Sequence, residues 1–283
     1  MTNDTDEETG YFNASDGLRI FYRIYRSSHE VSRIAIVHGI GEHSGRYGNV
    51  VDTLLPKGIS IWALDLRGHG KSEGKRGHIR SFDEYISDVL SLIHTIKEKK
   101  GDDTKCFLLG HSMGGLVAIC FGLKYPDLID GLIVSSPALG LAVEVPTVKR
   151  VLGNLMSRVF PSFTMANGLD VSMLSHDEQV VKAYIKDPLV HDRVSARWFT
   201  EILNAMEYVN SSVTKFKIPI LMQIARDDHL TDPLVSEEFF ERLTVRDKTL
   251  RVYEGLYHEI YNEKKDMRRK PLQDLRGWLE ERR

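Results

Sequence analysis

Cys106-Phe-Leu-Leu-Gly-His-Ser-Met-Gly-Gly-Leu-Val-Ala-Ile-Cys-Phe121 decides how this chain folds. Cys106 to Leu109 is a short apolar run of the length a buried parallel strand needs. Gly110-His111-Ser112-Met113-Gly114 follows, and then an apolar segment of helical composition. This is Gly-x-Ser-x-Gly between a strand and a helix, the sharp turn called a nucleophile elbow. The turn strains the serine backbone and presents its hydroxyl above the sheet. Gly110 and Gly114 leave room for the neighbouring strand and helix. The helix that starts there aims its free N–H groups at the place where negative charge must develop.

Working outward, Arg33 to Val37, Ile59 to Leu64, Gly131 to Ser135, Pro219 to Ile224 and Thr249 to Tyr253 read as further strands. Helical periodicities separate most of them. Tyr47, Val50, Val51, Leu54 and Leu55 follow i, i+3, i+4, i+7, i+8, and Gly58 stops that helix. Ser81-Phe-Asp-Glu84 is a capping box leading a helix with Phe82, Tyr85, Ile86, Val89, Leu90 and Ile93 on one face. Gly101-Asp102-Asp103 turns the chain into the elbow strand. Residues 1–10 read as a polar tail, and Ser15-Asp16-Gly17 as the turn of an edge hairpin. Strand and helix in alternation imply parallel strands with right-handed crossovers.

The alternation stops at Ser136-Pro137. From there to Phe216 the pattern is helical, with no core strand expected. Val148, Val151, Leu152, Leu155, Met156, Val159 and Phe160 form one stripe, beginning after Pro146. Ser175-His-Asp-Glu178 reads as a second capping box. Ser195 is placed to cap a third helix with Trp198, Phe199, Ile202, Leu203, Met206 and Val209 on one side. The chain is therefore divided into a sheet domain, 1–136 and 217–283, and an inserted helical cap, 137–216. Most of the stripes are expected to pack. Some of their area should line an acyl channel or touch a membrane surface at the cap rim. Pro271 is expected to start the closing helix at its first position, with Leu272, Leu275, Trp278 and Leu279 inside.

Composition bounds the function. Hydrophobic residues are 42% and charged residues 28%, and the net charge is -2. That balance is ordinary for a globular protein and argues against a nucleic-acid surface. The two cysteines, Cys106 and Cys120, sit in apolar context, so reduced thiols are expected rather than a disulfide framework. The acidic start does not read as a secretory signal, and no apolar run reaches a membrane span. A cytoplasmic protein, peripheral at most to membranes, is the expectation.

Ser112, Asp228 and His258 each fall just after an expected strand, the end where parallel sheets bind ligands. A serine hydroxyl needs a base, and an imidazole needs a carboxylate to hold its tautomer. Asp227 and Asp232 neighbour Asp228, and successive side chains diverge, so one of them serves His258. Asp228 is preferred, with Asp232 read as the cap of a helix starting near Pro233, and His229 as a loop surface residue. The glycine-rich His38-Gly-Ile-Gly-Glu-His-Ser-Gly-Arg-Tyr47 leaves the first buried strand. Its Ile40 N–H, with Met113 N–H, is the expected oxyanion hole. His38 and His43 lack partners at ligand spacing, so no metal is expected. Asp65, Arg67 and His69 read as a charged loop that supports the site from behind.

Four motifs in order carry a resemblance: His38–Tyr47, Asp65-Leu-Arg-Gly-His-Gly-Lys-Ser72, Gly110–Gly115 and Asp247-Lys-Thr-Leu with Tyr253-Glu-Gly and Tyr257-His258. Together they resemble the monoacylglycerol lipase and lysophospholipase branch of the α/β hydrolases, from about Gly17 to the C-terminus. The resemblance implies the α/β-hydrolase fold, a mostly parallel central sheet flanked by helices with an inserted cap. It implies Asp228 as the triad acid and hydrolysis of a fatty acyl ester of glycerol through an acyl-serine, without a cofactor. It also implies that Glu42 and Arg46 shape the head-group end of the pocket. An ion pair that only braces the loop is the other reading of that pair. Lysophospholipase, general carboxylesterase or thioesterase activity are alternatives within the chemistry. An aminopeptidase of the same fold would need an anionic subsite for an amine. A non-catalytic lipid-binding module would be expected to lack a triad member.

Overall fold

The computed structural model describes residues 7–100, 104–142 and 147–283. The turn at 101–103, Pro146, the side chain of Val148 and the first six residues lie outside the described residues. An eight-stranded sheet forms the centre. Its strands are β1 (Glu7–Asn13), β2 (Arg19–Tyr25), β3 (Ser32–Val37), β4 (Ile59–Leu64), β5 (Cys106–His111), β6 (Gly131–Ser135), β9 (Ile220–Ala225) and β10 (Lys248–Tyr253). They lie in the order β1-β2-β4-β3-β5-β6-β9-β10. The pairs from β4 through β10 are parallel, and β1 and β2 make an antiparallel edge. Residues 7–10, read from sequence as part of a tail, are therefore strand. Their backbone pairs with Tyr22 to Tyr25, which composition alone does not reveal.

Alternation sorts the apolar residues onto two faces. Ala35 and Val37 of β3, with Cys106 and Leu108 of β5, join one core. Ile34, Ile36, Phe107 and Leu109 join the other. Helices α2 (Asp83–Lys100) and α3 (Met113–Lys124), with Phe239 of α7 (Pro233–Arg242), pack on the first face, and α1 (Gly48–Leu54) and α8 (Lys265–Glu280) cover the second. With both faces covered, the strands are continuous apolar runs, as a parallel sheet requires.

The site follows from this strand order. From β3 the chain crosses to β4 on one side and then returns to β5 on the other. Loops leaving adjacent strand ends in opposite directions open a crevice, the topological switch point. The loop at 38–47 and the turn at Ser112 are its two walls.

Between β6 and β9 run α4 (Thr147–Val159), β7 (Thr164–Ala166), α5 (Glu178–Lys186), β8 (Arg193–Ser195) and α6 (Ala196–Ser212). Among the described residues β7 and β8 pair only with each other, a small sheet that the helical pattern concealed. Ser195 caps α6, accepting from Trp198 N–H. Trp198, Ile202, Met206 and Val209 are buried in the first core. The α4 stripe behaves otherwise: Val151, Leu152, Leu155, Val159 and Phe160 are all exposed. Leu174 to Asp177 is strapped to the far end of the chain. Ser175 Oγ donates to Asn262 O, and His176 N–H donates to Glu263.

Three local expectations are corrected. At α2, Glu84 reaches back to Arg80 N–H, and Glu201 of α6 takes Phe82 N–H. A tertiary partner thus replaces the box expected at Ser81. At α5 the N-cap is Asp177, whose side chain accepts from Gln179 N–H, because Ser175 is engaged elsewhere. Pro271 lies inside α8, not at its start. The helix extends back over the polar residues from Lys265, and Gln223 Nε2 donates to the Pro271 carbonyl. Among the described residues no helix is long and apolar enough to cross a membrane.

Candidate active site

Ser112 sits between β5 and α3 with φ 54° and ψ -121°, a strained conformation for a residue with a side chain. The turn is too tight for side chains on its glycines. A Cβ on Gly110 would lie 2.2 Å from Gly114 O, and one on Gly114 2.1 Å from Val37 O. The Ser112 carbonyl accepts from Gly115 and Leu116 N–H, so the strain is held by the first turn of α3.

After β9 the chain turns through Asp228, and after β10 through His258. Asp228 is buried. Its Oδ1 accepts from Leu230 N–H at 2.8 Å and Thr231 N–H at 3.1 Å. Its Oδ2 accepts from Thr231 Oγ1 at 2.8 Å and from His258 Nδ1 at 2.7 Å. A carboxylate only accepts, so Nδ1 carries the proton and Nε2 of the neutral ring is free to take one. Burial pulls His258 towards the neutral form, but the facing Asp228 charge outweighs it and leaves His258 above its ordinary value. Burial likewise opposes the charge on Asp228, and His258 with the two loop amides more than offsets this, so Asp228 lies below the usual carboxylate value. Asp227 is exposed. Asp232 caps the next helix, α7 (Pro233–Arg242), accepting from Leu234 and Val235 N–H. His229 is exposed.

Ser112 and His258 open into one cavity of about 160 Å³. Gly39, Ile40, Met113, His111, Glu42 and Glu259 also line it. The remaining wall is mostly apolar, with Leu141, Leu169, Leu174, Val194, Trp198, Phe199, Ile202, Leu203 and Met206. All of these but Leu141 and Leu174 project from α6 or lie near β7 and β8, so one chain segment builds most of the apolar wall. Tyr184 of α5 and Thr231 add hydroxyls.

The charged groups behind the wall are interlocked. Glu42 Oε1 accepts from Gly39 N–H at 2.6 Å and Tyr47 OH at 3.0 Å. Its Oε2 faces Arg46 Nη1 at 3.0 Å. Arg46 also makes a two-pronged contact with Glu259, at 2.5 and 2.8 Å. Burial opposes the charge on Glu42, but Arg46 and the neighbouring donors hold it down at about 2. Glu42 reaches the cavity, whereas Arg46 lies behind it. Glu259 belongs to no motif that the sequence marks, although it adjoins His258. Asp65 takes Ser44 N–H at 2.8 Å and Lys71 N–H at 2.7 Å, and Arg67 forks onto Asp88 at 2.7 Å. These groups brace the loops from behind. His38 uses both ring nitrogens internally, towards Gly39 O and Leu66 N–H.

A family model described as serine aminopeptidase, S33, matches residues 28–265. A phospholipase of Bacillus subtilis, YtpA, is 36% identical over 84% of this chain and 92% of its own length. An uncharacterized abhydrolase domain-containing protein of Dictyostelium discoideum is 37% identical over 82% of this chain, which spans 25% of that protein's length. Among solved structures, a monoacylglycerol lipase of Paleococcus ferrophilus superposes with a TM-score of 0.85 at 36% identity, covering 94% of this chain and 99% of that one.

Proposed function

The chain belongs to the serine aminopeptidase S33 family, in its monoacylglycerol lipase branch, and from that premise we propose that it hydrolyses monoacylglycerol to glycerol and fatty acid. It is a carboxylic ester hydrolase. The observation that carries the reading is a strained serine and a carboxylate-held imidazole opening together into an apolar cavity.

Ser112 Oγ attacks the acyl carbonyl while His258 Nε2 takes its proton. The tetrahedral oxyanion is met by Ile40 and Met113 N–H, each worth roughly 3–4 kcal/mol of barrier. As the ester bond breaks, His258 returns the proton to the glycerol oxygen, leaving acyl-Ser112. Water then attacks this ester with His258 as base, and the fatty acid leaves with Ser112 restored. Asp228 stays ionised, fixing the tautomer and stabilising the imidazolium. The acyl chain lies against the α6 wall. No cofactor or metal enters these steps.

Residues 137–216 act as the cap over this site. The exposed apolar side of α4, continued by Phe163 and Met165, fits transient contact with a lipid surface. Free, buried Cys106 and Cys120 fit a reducing compartment, hence the cytoplasm. Phospholipid substrates have support from the Bacillus relative. An amine-recognising peptidase has less: the two carboxylates in the wall, Glu42 and Glu259, are both engaged by Arg46.

The test is kcat/KM across monoacylglycerols, lysophospholipids, short esters and aminoacyl amides, with monoacylglycerols expected highest. Ser112→Ala should lose at least about 10⁴-fold in kcat with unchanged thermal unfolding, and should no longer react with a fluorophosphonate. Retained turnover in that variant would remove the serine mechanism.

A further inference from the structure

Glu42 is a buried carboxylate only 4% exposed, beside a reaction that must itself develop negative charge. Such a placement is costly without a compensating role. An ionised carboxylate offers about four acceptor positions. Three are filled from within the loop: by Gly39 N–H, Tyr47 OH and Arg46 Nη1. Little capacity is left for a ligand.

The shortest of these bonds, 2.6 Å, goes to Gly39 N–H, the amide immediately before that of Ile40. Gly39 also lies directly against the nucleophile. A Cβ built there would stand 3.2 Å from Ser112 Cβ and 3.0 Å from Glu42 Oε1. Gly39, whose carbonyl carries the peptide link to Ile40, thus lies between the serine and the Glu42 carboxylate. Behind it, Arg46 joins Glu42 to Glu259, the residue after His258. One guanidinium supports both the oxyanion loop and the loop carrying the base.

We propose that Glu42 is a positioning residue that turns the Ile40 N–H towards the oxyanion by holding the preceding amide back in the loop, rather than a group that recognises the glycerol head. This rests on the ester-hydrolase reading and on Ile40 as a donor. The hole acts in both acylation and deacylation, and a displacement of about 1 Å at reacting groups costs about 100-fold. Glu42 should therefore be felt in kcat, equally for every leaving group. A head-group contact would be felt only when glycerol is the leaving group.

The experiment compares wild type, Glu42→Ala, Glu42→Gln and Glu42→Asp on the glycerol, methyl and p-nitrophenyl esters of one fatty acid. It also measures affinity for a trifluoromethyl ketone carrying the same chain, which binds as a tetrahedral adduct. Glu42→Ala should lower kcat about 100-fold or more on all three esters, with KM within about threefold, and weaken the ketone in parallel. Glu42→Gln keeps an acceptor for Gly39 and should recover to within about tenfold of wild type. Glu42→Asp keeps the charge opposite Arg46 but withdraws the acceptor from Gly39. It should behave like Glu42→Ala, and it decides the matter where Glu42→Ala fails to fold. A loss confined to the glycerol ester, an unchanged kcat, or an unchanged ketone affinity overturns the proposal. Inactivity of the wild type on all three esters would instead overturn the hydrolase reading.

Discussion

Two helices, one apolar nearly all round and the other apolar along one stripe, meet opposite fates. α3 follows Ser112, and every residue from Met113 to Gly122 is buried. α4 carries Val151 at 63%, Leu152 at 56% and Leu155 at 57% exposure. α3 lies between the sheet and α6, so its whole circumference has neighbours. α4 rests on α6, with Gly153 facing the Phe199 ring, and presents its remaining apolar side outward. The floor of the site is therefore fixed by packing on every side. The outer cover of α6, helix α4, has an apolar surface with no protein partner among the described residues.

If this difference holds, substitutions on the floor should act strongly and those on the outer cover weakly. The largest expected effect is at the acid. Asp228→Asn should cost about 10⁴-fold in kcat by presenting the wrong imidazole tautomer. Asp227→Asn and Asp232→Asn should stay within about tenfold, since neither touches His258. Steady-state kinetics of the three variants checks the ranking, and its reversal would move the acid to a neighbour.

Next comes the interlocked charge behind the wall. Arg46→Met leaves Glu42 and Glu259 buried without their cation, with an expected cost of about 3–5 kcal/mol, read as a lower urea midpoint. A change below about 1 kcal/mol would mean that the network behaves as an exposed surface pair would.

Titration separates the same region by sign. His258 is held above its ordinary value, so kcat/KM should rise as pH increases through that raised value and frees Nε2. The pair's contribution to folding runs the other way. It is complete below the unfolded imidazole value of about 6.5 and is lost as pH rises through the folded one. Comparing thermal unfolding of wild type and Asp228→Asn between about pH 5 and 9 isolates it. A difference that grows with pH over the upper part of that range would contradict the assignment.

The smallest effects belong to the outer cover. Val151→Ser, Leu155→Ser and Phe160→Ser should each shift stability by no more than about 0.5 kcal/mol and leave a water-soluble ester unaffected. Together they should weaken co-sedimentation with lipid vesicles. Leu116→Ala in α3, by contrast, should cost about 2–5 kcal/mol. Equal losses in the two helices would erase the distinction between floor and cover.

Local chemistry in the chain was enough to determine the elbow, the succession of parallel strands, the caps at Ser195 and Asp232, and the order of Ser112, Asp228 and His258. A strand–turn–helix with glycine on both sides of a serine is a short-range pattern, and its sterics are complete within a few residues. Tertiary structure alone decided which way the α4 stripe faces, since periodicity defines a face but not what covers it. It also paired β7 with β8, replaced the cap at Ser81 with Glu201, and placed Pro271 within α8. The joining of Glu42 to Glu259 through Arg46 belongs with these, because it needs side chains 213 residues apart to meet. Contacts of that kind depend on where the sheet brings its loop ends, and a buried charge finds its partners only once the surrounding chain has excluded water.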